Sequence, residues 1–138
     1  VEVVYAVVGA ESGEKKIAVQ HSGPGTSAVV RSDAIRTVVA LDDLLKTSAP
    51  DLIKIDTDGY EINVVEGGRR CLKNIKPHLF IEYSPYHIRK HGLDEPTRLF
   101  ALLKEAGYGA MIIYEHMGYP MCLIDFTSTS SRTSMLTF

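Results

Sequence analysis

The chain has 138 residues, 45% of them hydrophobic and 23% charged, which excludes a disordered polymer and suits one globular domain. Fifteen Lys and Arg stand against seventeen Asp and Glu, a net charge of −2 that leaves no basic field for a phosphate backbone and argues against nucleic-acid binding. Apolar runs are strand-sized and broken by charge, short of the ~20 residues of a membrane span. The two cysteines, Cys71 and Cys122, are too few for a disulfide scaffold and point to a reducing, cytoplasmic compartment.

Residues 1–9, VEVVYAVVG, form a β-branched strand that begins at Val1 as if at a cut edge. Glu11-Ser12-Gly13 turns the chain, and Lys16 to Gln20 runs back as the hairpin partner of that strand. HSGPGTS at 21–27 is a loop, Arg36 to Ala40 a strand, and LDDLL leads a short helix over 41–47. After Pro50, residues 51–56 make a strand. Asp58-Gly59 then turns into a helix reaching Ile75, with Ile62, Val65, Leu72 and Ile75 at helical spacing and Val64 and Cys71 beside them. Gly67-Gly68 inside that helix costs on the order of 1 kcal/mol per glycine against Ala, which implies a close backbone approach to a neighbour.

Residues 78–84 form the next strand. Asp94 caps a helix with Pro96 in its first turn, buried through Leu99, Leu102, Leu103 and Ala106 and stopped by Gly107. Residues 110–115 and 121–126 form a closing hairpin, and the Ser/Thr-rich 127–138 reads as a loosely held tail after a domain of 1–126. Strand–helix–strand alternation argues an α/β fold: a mostly parallel sheet covered on both faces, with a C-terminal antiparallel hairpin.

Ligands of open α/β sheets sit at the carboxyl ends of the strands, where Asp56, Asp58 and Glu61 fall. Carboxylates there can bind hydroxyls, hold a cation or take a proton. Asp58 and Glu61 also suit an acidic first helical turn. Asp56, ending a strand expected to be buried, is the acid that most needs a functional reason. Glu82 and His87 lie near the next strand end. His87 and His91, four apart, could share a helix face, but no glutamate accompanies them in a metal-binding pattern, and no metal site is expected. Cys71 and Cys122 read as small core residues, and core packing is the plainer role for Tyr83, Tyr86, Tyr108, Tyr114 and Tyr119.

LDDLL at 41–45, IKIDTDGYE at 53–61, VVEGG at 64–68 and FIEYS at 80–84 together resemble the FkbM family of S-adenosylmethionine-dependent methyltransferases. The resemblance implies a Rossmann-like class I methyltransferase sheet in which 1–9 is the third strand, 51–56 the fourth and 78–84 the fifth. It further implies S-adenosylmethionine as cofactor and methyl transfer to a hydroxyl of a sugar or small metabolite. Asp56, Glu61 and Glu82 are the catalytic candidates; Ala6, Val7 and Asp56 are the cofactor candidates. The family's Gly-rich loop after the first strand and the ribose-binding acid after the second have no counterpart here. The sequence is therefore expected to be the C-terminal part of such a domain, or a non-catalytic scaffold on the same sheet. DTDG also resembles the Asp-x-Asp-Gly-Thr motif of haloacid-dehalogenase-like phosphatases, but Tyr60 replaces the Thr and no later Gly-Asp-x-x-x-Asp pair follows.

Overall fold

A computed structural model describes residues 2–23, 26–92, 96–113, 122–125 and 133–135. β1 (Val7–Gly9), β2 (Gly13–Gly23) and β3 (Thr26–Ala40) form one sheet in the order β1-β3-β2. The hairpin expectation is corrected here. Lys16 to Gln20 pairs with β3, while β1 pairs in parallel with the far end of β3 through Val7↔Val38, Val8↔Val39 and Gly9↔Ala40. β3 is long and rich in Val and Thr, so both of its edges take a partner. The ladder also enters the expected 21–27 loop, pairing His21 with Ser27 and Gly23 with Thr26.

After α1 (Leu41–Leu44), β4 (Leu52–Ile55) and β5 (His78–Ile81) pair in parallel, Ile53 opposite Leu79 and Ile55 opposite Ile81. The crossover between them is two helices, α2 (Glu61–Gly67) and α3 (Arg69–Asn74), not the continuous one expected. The break falls at Gly68, and Ile75 follows α3 as an exposed residue. The glycine pair does serve a close approach: a Cβ on Gly67 would stand 2.0 Å from the carbonyl oxygen of Gly9, and one on Gly68 2.8 Å from Leu41 Cδ2. The helix thereby rests directly on the backbone at the end of β1.

α4 (Pro85–His87) and a π-helical turn (Ile88–Gly92) follow β5, then α5 (Thr97–Glu105). Leu99, Leu102, Leu103 and Ala106 bury the inner face of α5 as its spacing implies; Asp94 lies outside the described residues. Gly107, with φ +87, ends α5: its N–H donates to Lys104 O and the Tyr108 N–H to Leu103 O, a Schellman closure that glycine adopts without strain. The core joins Leu41, Ile55, Ile62, Val65, Leu72 and Ile88 to the α5 leucines, and Cys71 is buried as expected. Tyr83 and Tyr108 pack against that core, whereas Tyr86 is exposed.

β6 (Ala110–Ile113) and β7 (Cys122–Asp125) form the expected antiparallel pair. The Ser/Thr-rich stretch supplies a further strand, β8 (Thr133–Met135), paired with β7. Tyr114, His116 and Tyr119 lie outside the described residues, as do the side chains of His91 and Cys122.

Two expectations about the sheet change. Hydrogen bonds sort the described strands into three sheets rather than one. The β4–β5 pair is also covered on one face only, since Leu52 and Phe80 are 62% and 58% exposed opposite the buried Ile55 side. Gly67→Ala tests the helix–strand approach. Because the obstacle is backbone, the change is expected to cost about 1–3 kcal/mol in urea unfolding. Gly68→Ala, which meets only a leucine side chain, is expected to cost less.

Candidate active site

The register that pairs Ile55 with Ile81 places the next residues, Asp56 and Glu82, side by side at the carboxyl ends of β4 and β5. The Glu82 N–H donates to Ile55 O at 2.8 Å and extends the ladder to that point. Thr57 O then accepts the Tyr60 N–H at 3.3 Å, closing a turn whose central residues Asp58 and Gly59 have φ of +50 and +108. Asx-Gly is the residue pair best suited to two consecutive positive φ angles. Glycine is also required for space at the second position, where a Cβ would sit 2.4 Å from His87 O.

Glu61 holds this turn from inside. It is 1% exposed, and its Oε1 accepts the Thr57 N–H at 3.1 Å, the Thr57 hydroxyl at 2.8 Å and the Gly59 N–H at 3.0 Å. A buried carboxylate needs such partners to offset desolvation. Its Oε2 is buried without a hydrogen-bond partner among the described residues. The buried acid is thus Glu61, not Asp56. Asp56 stands 46% exposed because β4 ends one residue before it, beyond the sheet's cover.

Asp56 accepts a hydrogen bond from Lys54 Nζ, and its carboxyl lies within hydrogen-bonding reach of Glu82. The Lys54 ammonium, then the Glu82 hydrogen bond, hold Asp56 below the usual aspartate range. Glu82 moves the opposite way: partial desolvation, its bond to Asp56 and the negative charges of Asp56, Asp58 and Glu61 raise it. The two neighbouring carboxyls are thus pushed in opposite directions, Asp56 giving up its proton more readily than Glu82. Asp56 therefore favours the fold above its unfolded pKa, a contribution lost as pH falls through its lowered folded value. Glu82 favours the fold while protonated, a contribution lost as pH rises through its raised value.

His87 enters through its backbone. Its N–H donates to Ser84 Oγ at 3.3 Å and its carbonyl packs under Gly59. Ala6 and Val7 stand at the entry of β1, in a different hydrogen-bonded sheet from Asp56 and Glu82. Among the described residues, no group of three or more His, Cys, Asp or Glu converges as a metal site. No helix among them is long and apolar enough to cross a membrane.

Sequence reading missed Asp42. Gly68, at the N-cap of α3, has no side chain to cap it, and Asp42 reaches across from α1 to do so. Its Oδ2 accepts the Arg70 N–H at 2.9 Å and its Oδ1 the Cys71 N–H at 2.7 Å, while Arg70 Nη2 donates to Asp42 O at 2.8 Å. These are the N2 and N3 amides that a local cap would serve. Asp43 accepts from the Ser12 hydroxyl, whose oxygen takes the Ala40 N–H at 2.9 Å, tying the β1–β2 connection to α1. The LDDL segment therefore braces α3 and the β1–β2 connection against α1. The only signal for it in the sequence was an acid pair with no local amide to cap.

An α/β domain with a crossover helix pair and a carboxyl pair at adjacent strand ends is the class this geometry defines. Residues 3–109 match the Methyltransferase FkbM domain. The chain belongs to that family. No curated protein and no solved structure matches it.

Asp42→Ala tests the brace: losing both amide acceptors is expected to cost about 1–2 kcal/mol of unfolding free energy. A change within error would show that water replaces the cap without loss.

Proposed function

We infer that this domain carries out S-adenosylmethionine-dependent methyl transfer to a hydroxyl of a sugar or small metabolite. In this reading β1, β4 and β5 take the places of the third, fourth and fifth strands of a Rossmann-like class I sheet. The observation that carries it is the Asp56–Glu82 carboxyl pair at the ends of adjacent parallel strands, within a chain of the FkbM methyltransferase family.

The residues suit a cofactor that bears a sulfonium and an ammonium. Asp56 and Asp58 gather negative charge beside Glu82, and Glu61 Oε2 is a buried acceptor without a partner among the described residues. When bound, that cofactor supplies an already activated methyl group. Glu61 keeps the turn fixed, and Ala6 and Val7 take the adenine side. Asp56, ionised beside Lys54, orients Glu82. Glu82 in its ionised form accepts the proton of the acceptor hydroxyl, its raised pKa bringing it closer to a working pH than an ordinary glutamate. A cytoplasmic location and a small-molecule partner belong to the same reading, supported by the free thiol of Cys71 and the slight negative charge.

Transfer of labelled methyl groups by the longest purifiable form of the protein tests this. Glu82→Gln is expected to lower turnover about 100-fold or more. Its thermal midpoint at pH 7 should hold or rise, because glutamine donates to Asp56 without adding a like charge. Wild-type turnover should fall as pH drops through the raised Glu82 value. Unchanged turnover in Glu82→Gln would remove Glu82 from the reaction.

A further inference from the structure

The carboxyl pair is symmetric in its backbone and asymmetric in its neighbours. Asp56 and Glu82 occupy equivalent positions, each following the last rung of its strand, where Ile55 pairs with Ile81. Side chains alternate along a strand, so the residue two before each acid shares its face. Those two residues are Lys54 and Phe80, and the ladder sets them directly opposite one another. One acid therefore follows an ammonium on its own strand, and the other follows an aromatic ring.

A charge at Lys54 is itself out of pattern. Parallel strands read as near-continuous apolar runs, as Leu52, Ile53 and Ile55 do around it. Lys54 Nζ donates to Asp56 Oδ2, and both side chains are solvent-exposed. An exposed ion pair adds little to stability, so holding β4 in place does not account for it. Its effect falls on the acids instead. Four carboxyls act on one another at this end of the strands: Asp56 on β4, Glu82 on β5, Asp58 in the turn and Glu61 at the start of α2. The Lys54 ammonium bonds the first of these and lies within electrostatic reach of the second. Phe80 can neither donate to Glu82 nor carry a charge toward it.

We propose that Lys54 and Phe80 are positioning residues that decide which acid of the pair takes the acceptor proton. Lys54 ties the Asp56 carboxylate back to its own strand, and Phe80 leaves Glu82 free of a cation on its own. As the acceptor oxygen gains the methyl group and the carbon–sulfur bond breaks, with the bonding pair left on sulfur, the hydroxyl proton passes to Glu82. The origin of that proton rests on the methyltransferase reading; the polarity of the pair does not.

Exchanging the two residues tests the assignment. Carbon-13 NMR titration of both carboxyls is compared in the wild type, Lys54→Met, Lys54→Arg and the double variant Lys54→Phe with Phe80→Lys, with thermal midpoints measured alongside. In Lys54→Met the Asp56 step is expected to rise by about one pH unit, and in Lys54→Arg to stay in place. In the double variant Asp56 should rise and Glu82 fall, so that the gap between them closes or inverts. Methyl transfer at pH 7 should drop about tenfold or more in the double variant and persist in Lys54→Arg. A purely structural role would lower the thermal midpoint and leave both titration steps where they were, and that result overturns the proposal. If the double variant does not fold, the single variants decide, an unmoved Asp56 step in Lys54→Met counting against it. Shifted titrations without methyl transfer by any form, the wild type included, reject the methyltransferase reading and retain the polarity of the pair.

Discussion

One buried negative charge organises this site. Glu61 gathers two backbone N–H groups and a hydroxyl from the turn just before it onto a single oxygen, and that is what holds Asp58 and Gly59 at positive φ. Removing the carboxylate would leave those three donors short of an acceptor in a region with little water. The turn in turn sets where β4 stops, where α2 begins and which way Asp56 leaves the strand. The second oxygen of Glu61 is buried without a hydrogen-bond partner among the described residues.

The surrounding packing keeps that geometry from relaxing. Gly59 lies against the His87 backbone, Gly67 against the Gly9 backbone, and Gly68 against Leu41. The first two bring β1, α2 and the segment after β5 closer than side chains would allow, and the third seats the Leu41 side chain of α1 at the α2–α3 junction. Close-packed backbone transmits displacement rather than absorbing it. The Asp42 cap and the Asp43–Ser12 link brace the same region from the side of α1. Two acids that look like surface charge are therefore part of the frame on which the site is built.

What the sequence disclosed follows from how local each signal is. The β4 and β5 strands, the buried stripe of α5 and its Gly107 stop all depend on periodicity and on residues within one turn, and all were legible. The reason for Gly67 was legible too, because glycine inside a helix has few physical explanations. Hairpin pairing was not: β1 and β3 are both candidate partners for β2, and only the full sheet shows β3 in the centre, paired with β1 on one edge and β2 on the other. The acid loop was located correctly, but burial was assigned to Asp56 rather than Glu61. Strand patterning cannot say that a sheet's cover ends one residue early, nor that a helix's first residue turns inward. Asp42 bonds amides 28 and 29 residues away, and no local pattern carries such a contact. Tyr60 read only as the residue that departs from the Asp-x-Asp-Gly-Thr motif, whereas in the structure its N–H closes the turn onto Thr57 O.

The account stands on the unequal carboxyls at the strand ends. Carbon-13 NMR titration of the Asp56 and Glu82 side-chain carboxyls measures that inequality directly. Glu82 should titrate above the ordinary glutamate value and Asp56 below the ordinary aspartate value, each sensing the other's step. Two independent titrations at ordinary carboxylate values would show that the carboxyls do not influence each other, and would contradict the proton-handling role assigned to the pair.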